Sequence, residues 1–107
     1  MTIIEFYMEK AREFAKRNSN PEISNHIAHI LASVVMHRDE ILGDGGSFVQ
    51  AVINNDLYAA INRGDTECVS NIKLIVQAHH NMIVEFHEIP ANIVEELGVE
   101  HFKGIKI

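Results

Sequence analysis

Tryptophan is absent from this chain of 107 residues, cysteine occurs once, proline twice and glycine six times. A single cysteine, Cys68, closes no internal disulfide, so the fold has to rest on burial, and a chain of this length buries roughly two-thirds of its unfolded surface. So few prolines and glycines leave little room for long linkers. Basic residues are scarce as well. Nine Lys and Arg stand against fifteen Asp and Glu, a net charge of −6, and the resulting field repels phosphate backbones. The nearest approach to a basic patch is Lys10, Arg12, Lys16 and Arg17, which is interleaved with Glu5, Glu9 and Glu13. Nucleic-acid binding is therefore not expected. No uncharged apolar run approaches the ~20 residues of a membrane-spanning helix, and no basic start leads into an apolar signal core. The expectation is a cytoplasmic protein without a membrane partner.

What is present reads as helix. Ile3, Ile4, Tyr7, Met8, Ala11, Phe14 and Ala15 recur at helical spacing between Thr2 and Arg17, and Thr2 with Glu5 forms a capping box at the start. The turn residues Asn18, Ser19, Asn20 and Pro21 end that helix, with Pro21 placed near the first position of the next. The second helix is expected from about Glu22 to Leu42, until Gly43, Asp44, Gly45 and Gly46 stop it.

The densest signals lie between Gly45 and Asp65, GGSFVQAVINNDLYAAINRGD. Ser47 and Gln50 form a second capping box, so a short helix should start at Phe48. Asn54, Asn55 and Asp56 break it. Leu57, Ala60 and Ile61 supply the apolar side of a further short helix, with Gly64 in the left-handed position at its end. Asp65 then caps a long helix from Thr66 to His87 or Glu88, closed by Pro90. Ala91 to Leu97 form a last short helix ended by Gly98. The fold class is all-α, with three long and about three short helices: one domain over residues 1–98 and a C-terminal tail, strand-like or disordered, over 99–107.

The stretch GSFVQAVINNDLYAAINRGD resembles a segment of small uncharacterised helical proteins of bacteria and their phages or mobile elements. The resemblance covers about a fifth of the chain and implies an accessory protein of mobile DNA or its host, with no catalytic residue to carry over.

Chemistry has few places to reside. Six of the seven histidines fall on two helices: His26, His29 and His37 on the second, His79, His80 and His87 on the helix after Asp65. Facing helices that present histidines can hold a transition metal such as zinc, iron or manganese, and Glu22, His26 and His29, or His26 with His79, are candidate ligands. No Glu-x-x-His, H-E-x-x-H or Cys-x-x-Cys pattern accompanies them. Cys68 sits near a helix start, where a thiol pKa can fall, but as a small residue on an apolar face it reads first as core. The Gly45, Gly46, Ser47 turn could receive an anion on its amides, yet it lacks the lysine of a phosphate loop, so capping explains it better.

The first expectation is thus an acidic protein without a cofactor or catalytic activity that binds other proteins, as a homodimer. Phe6, Met36, Leu74, Val84 and Phe102 fall off the main apolar stripes and would be buried against a second copy or a partner. The polar corner of Asn54, Asn55, Asp56, Arg63 and Asp65 is a weaker contact candidate. The alternative is a helical metal-binding protein or metalloenzyme using His26 and His79. A third reading, charge mimicry against a nucleic-acid-binding enzyme, would need the acids on one continuous face.

Overall fold

Local capping sets where the helices begin. In the computed structural model, which describes residues 1–41 and 46–102, α1 (Ile3–Arg17) opens on the Thr2/Glu5 box. The Glu5 amide donates to Thr2 Oγ1 at 3.2 Å and the Thr2 amide to Glu5 Oε1 at 3.2 Å. Helix α2 (Asn25–Arg38) is shorter than expected at both ends. Ser24 accepts from the Ile27 amide and is the cap, which leaves Pro21 outside the helix. Helix α3 (Ser47–Ile53) starts one residue earlier than read: Gly46 is its N-cap and Ser47 its first residue, with no side-chain cap. The stop signals at Gly43, Asp44 and Gly45 lie outside the described residues. Asp56 caps α4 (Leu57–Arg63) and Asp65 caps α5 (Thr66–Ser70), both through their carboxylates.

Three helix ends use left-handed residues other than glycine. Ser19, Glu40 and Asn55 have φ of 66°, 59° and 56°, and each is followed by an amide that reaches back five residues: Asn20 to Ala15, Ile41 to Met36 and Asp56 to Ala51. These are three Schellman ends, at the close of α1, α2 and α3, each holding a left-handed residue that carries a Cβ. Gly64 is not left-handed. Its φ of −75° and ψ of 145° are extended, and the requirement there is space, because a Cβ would meet Phe48 Cδ1 and Cε1 at 2.9 Å.

The long helix expected after Asp65 is shorter and interrupted. Asn71 separates α5 from α6 (Ile72–Asn81), and the chain then runs extended through Met82, with φ −78° and ψ 105°. Met82 and Val84 are buried while Ile83 and Glu85 are exposed, the alternation of an extended segment. A 3₁₀ turn, Phe86–Glu88, leads to α7 (Ala91–Leu97), which ends at Gly98 with φ 86°. Seven α-helices and two 3₁₀ turns, with no strand among the described residues, make the fold all-α.

Helix α2 is the centre. It packs against α1, α3, α5 and α6, and Ile27, Ala28, Leu31, Ala32, Val34, Val35 and Met36 on it are all buried. A helix surrounded on several sides has no single stripe, which is why Met36 looked unpartnered in the sequence. The same reason corrects the other residues expected to be free for a partner. Phe6, Leu74, Val84 and Phe102 are buried within the single chain, along with Met36, each contributing about 1.5–3 kcal/mol of burial. Phe102 also carries the core past Gly98, since Val99–Phe102 is a 3₁₀ turn packed on α7. Residues 103–107 lie outside the described residues.

One polar network ties this centre together. Arg38, in the last turn of α2, donates from Nε to Asp39 Oδ1 at 3.0 Å and from Nη1 to the carbonyls of His79 at 2.9 Å and Ala78 at 3.4 Å. Tyr7 of α1 donates its hydroxyl to Asp39 Oδ2 at 3.3 Å. Arg38 thereby gives the His79 carbonyl a donor at the end of α6 and adds a second, longer one to the Ala78 carbonyl, which already accepts from the Met82 amide at 3.0 Å.

Candidate functional site

Two places remain after the core is accounted for. The first is α4. The sequence placed Leu57, Ala60 and Ile61 on its inner side, but only Ala60 is buried. Leu57 is 64% exposed, Tyr58 91% and Ile61 45%. The helix approaches α3 through its small residues, with Ala60 buried and Gly64 against Phe48, and this turns the large ones outward. Leu57 and Ile61 are an i, i+4 pair with Tyr58 beside them, and with Ala59, Asn62 and Arg63 they line an open hollow of about 790 Å³. Of the polar corner, Asn55 holds a left-handed helix end, Asp56 and Asp65 are caps, and Arg63 reaches the Ser47 carbonyl only at 3.5 Å.

The second place is where two capped helix starts lie side by side. Ser24 sets the beginning of α2 and puts His26 in its first turn; Asp65 sets the beginning of α5 and puts Cys68 three residues on. Asp65 Oδ1 accepts from the Cys68 amide at 2.8 Å, and Asp65 Oδ2 lies 2.9 Å from His26 Nε2. Cys68 Sγ lies 3.7 Å from that same nitrogen. Hydrogen bonding from the Cys68 amide holds the Asp65 carboxyl below the usual carboxylate range. Burial first, and the Asp65 carboxylate second, push the Cys68 thiol up to about 11. The lowered pKa considered for a thiol at a helix start is not found, and a thiol protonated at neutral pH is not a ready nucleophile. Nor is the order that of a relay, since aspartate and sulfur meet one ring nitrogen rather than opposite ones.

His79 is elsewhere. It sits near the end of α6, its carbonyl held by Arg38 from the far end of α2, whereas His26 is at the beginning of α2. Twelve helical residues separate those two levels, about 18 Å at 1.5 Å each, so the structure does not bring His26 and His79 together. His29 approaches Ser33 of its own helix, at 3.5 Å, and His87 pairs with the nearby Glu85 at 3.1 Å. Asp65 and Cys68 were each legible in the sequence, as a cap and as a core residue; their meeting with His26 was not.

The chain matches no family model, no curated protein and no solved structure. Among the described residues, no helix is long and apolar enough to cross a membrane.

His79 carries a prediction about acid stability. Burial, then the neighbouring His80 and Arg38, hold its pKa below the ordinary value. The unfolded chain therefore binds the extra proton first, and the contribution of neutral His79 to stability, present above about pH 6.5, is lost as pH falls through the folded value. Urea unfolding of His79→Gln should show a flatter acid limb than the native chain. Parallel curves would mean that another group governs this range.

Proposed function

We propose that this protein works by binding protein, without catalysis, and that it self-associates through α4. The observation that carries this reading is the outward face of Leu57, Tyr58 and Ile61, three large apolar side chains contiguous on one short helix in an otherwise acidic chain. Such a patch favours a partner. A second copy fits it by charge as well as by shape. α4 is about 10 Å long, and an antiparallel two-fold pairing of α4 with its copy sets Arg63 at one end beside Asp56 at the other, twice over. Leu57, Tyr58 and Ile61 then meet the same apolar face of the copy, with Tyr58 of one protomer beside Ile61 of its partner. The face is small against the roughly 800 Å² per partner of a standard interface, so the dimer should be reversible and dependent on concentration. An accessory role in a bacterium or a mobile element, implied by the resemblance of the stretch that contains α4, suits such an interaction protein.

Sedimentation equilibrium across a wide concentration range tests this. The native chain should pass from monomer to dimer, and Tyr58→Glu, which places a charge at the centre of the face, should remain monomeric with unchanged unfolding. A native chain that stays monomeric throughout, or a dimer indifferent to Tyr58→Glu, would remove α4 as the self-association face.

A further inference from the structure

We propose that His26, Asp65 and Cys68 form a three-ligand site for Zn²⁺, with water completing its coordination. The three candidate donor atoms come from two separately capped helix starts and all lie within 4.8 Å of one another. Tetrahedral zinc, bound at about 2.3 Å to sulfur and about 2.0–2.1 Å to nitrogen, separates those two atoms by about 3.6 Å; Cys68 Sγ and His26 Nε2 are 3.7 Å apart. Nitrogen and carboxylate oxygen would stand about 3.4 Å apart around the same ion, against the observed 2.9 Å, so Asp65 Oδ2 need withdraw by only about half an ångström.

One ring nitrogen, His26 Nε2, faces both a carboxylate oxygen and a sulfur. As an N–H it serves the Asp65 carboxylate, to which the Cys68 thiol also donates; as a lone pair it can accept from the thiol and then confronts the carboxylate at 2.9 Å. A divalent cation between the three would take the place of those two protons. Thiolate, carboxylate and neutral imidazole together cancel the charge of a divalent ion, and this mix of sulfur, nitrogen and oxygen donors suits zinc better than a hard cation such as magnesium. Asp65 is prepared for one bond to the metal, because its Oδ1 is held by the Cys68 amide. The His26 and Asp65 side chains are 47% and 57% exposed, which leaves the fourth position open to water. Binding displaces the Cys68 thiol proton to solvent.

The test is native mass spectrometry and a zinc titration of the full chain, kept reduced and purified without chelators. The native chain should hold one Zn²⁺, and Co²⁺ in its place should give a thiolate-to-cobalt charge-transfer band. His26→Gln, at an exposed position, and Cys68→Ala should each weaken zinc by more than about 100-fold, since even outer partners of metal ligands are worth ten- to a hundredfold. His79→Gln should bind as the native chain does. Circular dichroism of His26→Gln checks that the helices persist. No zinc retained by the native chain, or retention unchanged in folded His26→Gln, overturns the site; loss of zinc in His79→Gln instead moves it to α6.

Discussion

Phe102→Ala should lower the unfolding free energy by about 3–5 kcal/mol. The residue belongs to a segment that reads as a tail, yet its side chain is 0% exposed and its ring meets Phe86 edge to face, with centroids 5.9 Å apart at 73°. Truncation removes the burial of a large ring and leaves a cavity that the surrounding 3₁₀ turns and α7 can only partly fill. A small domain has about 5–15 kcal/mol in all, so the variant should be close to unfolding at physiological temperature. Urea denaturation measures this directly: the midpoint should fall sharply with the slope little changed. Tyr58→Ala, a large aromatic on the exposed face of α4, is the control and should shift stability by no more than about 0.5 kcal/mol. A loss below about 1 kcal/mol for Phe102→Ala would place residues 99–102 outside the cooperative domain.

Arg38→Leu is expected to cost about 3 kcal/mol or more, because it breaks a largely buried pair by taking away one partner. Asp39 is only 6% exposed. Burial already raises its pKa, with Arg38 the main opposing influence and the Tyr7 hydroxyl a smaller one. Without the guanidinium, Asp39 either stays ionised beside an apolar side chain or takes up a proton, and the His79 carbonyl loses its Arg38 donor, while Ala78 keeps the Met82 amide. The sign with pH follows from the raised value. Asp39 binds its proton more tightly in the folded chain, so stability falls as pH rises above the ordinary value of 3.8 and through the folded one. The cost of Arg38→Leu should therefore be larger at neutral pH than in acid. Adding Asp39→Asn should recover part of it by removing the stranded charge. Full additivity of the two substitutions, or a cost independent of pH, would show that Arg38 acts through packing alone. Lysine should be a poor replacement, since its single ammonium lacks the planar fork that here spans a carboxylate and two carbonyls.

Arg38 also shows how much of the molecule was legible beforehand. Its charge could be read from the sequence, and its place on the second helix follows from the helical pattern, but its carbonyl partners lie 40 and 41 residues away. The same holds for the candidate metal site. Asp65 is a readable cap because its amide partner, Cys68, is three residues on; His26 is 39 residues away from Asp65. The sequence pointed to His26 through histidine content and offered His79 as its companion, which the structure does not bring near it. Helices α5 and α6 run alongside α2 in the same direction, so that His79 lies with Arg38 at one end and the start of α5 lies with His26 at the other.

The sequence by itself determined the all-α class, the α1 capping box, the breaks at Asn18 to Asn20 and at Asn54 to Asp56, the caps at Asp56 and Asp65, and α7 with its end at Gly98. Each of these is decided among residues within about four positions of one another, the reach of helix hydrogen bonds and caps. Only the tertiary structure decided which apolar residues have partners. Phe6, Met36, Leu74, Val84 and Phe102 were enclosed, and Leu57, Tyr58 and Ile61 were left in water. Hydropathy is a property of one side chain, whereas burial depends on how helices distant in sequence cross, and small residues such as Ala60 and Gly64 set which face of α4 approaches its neighbour.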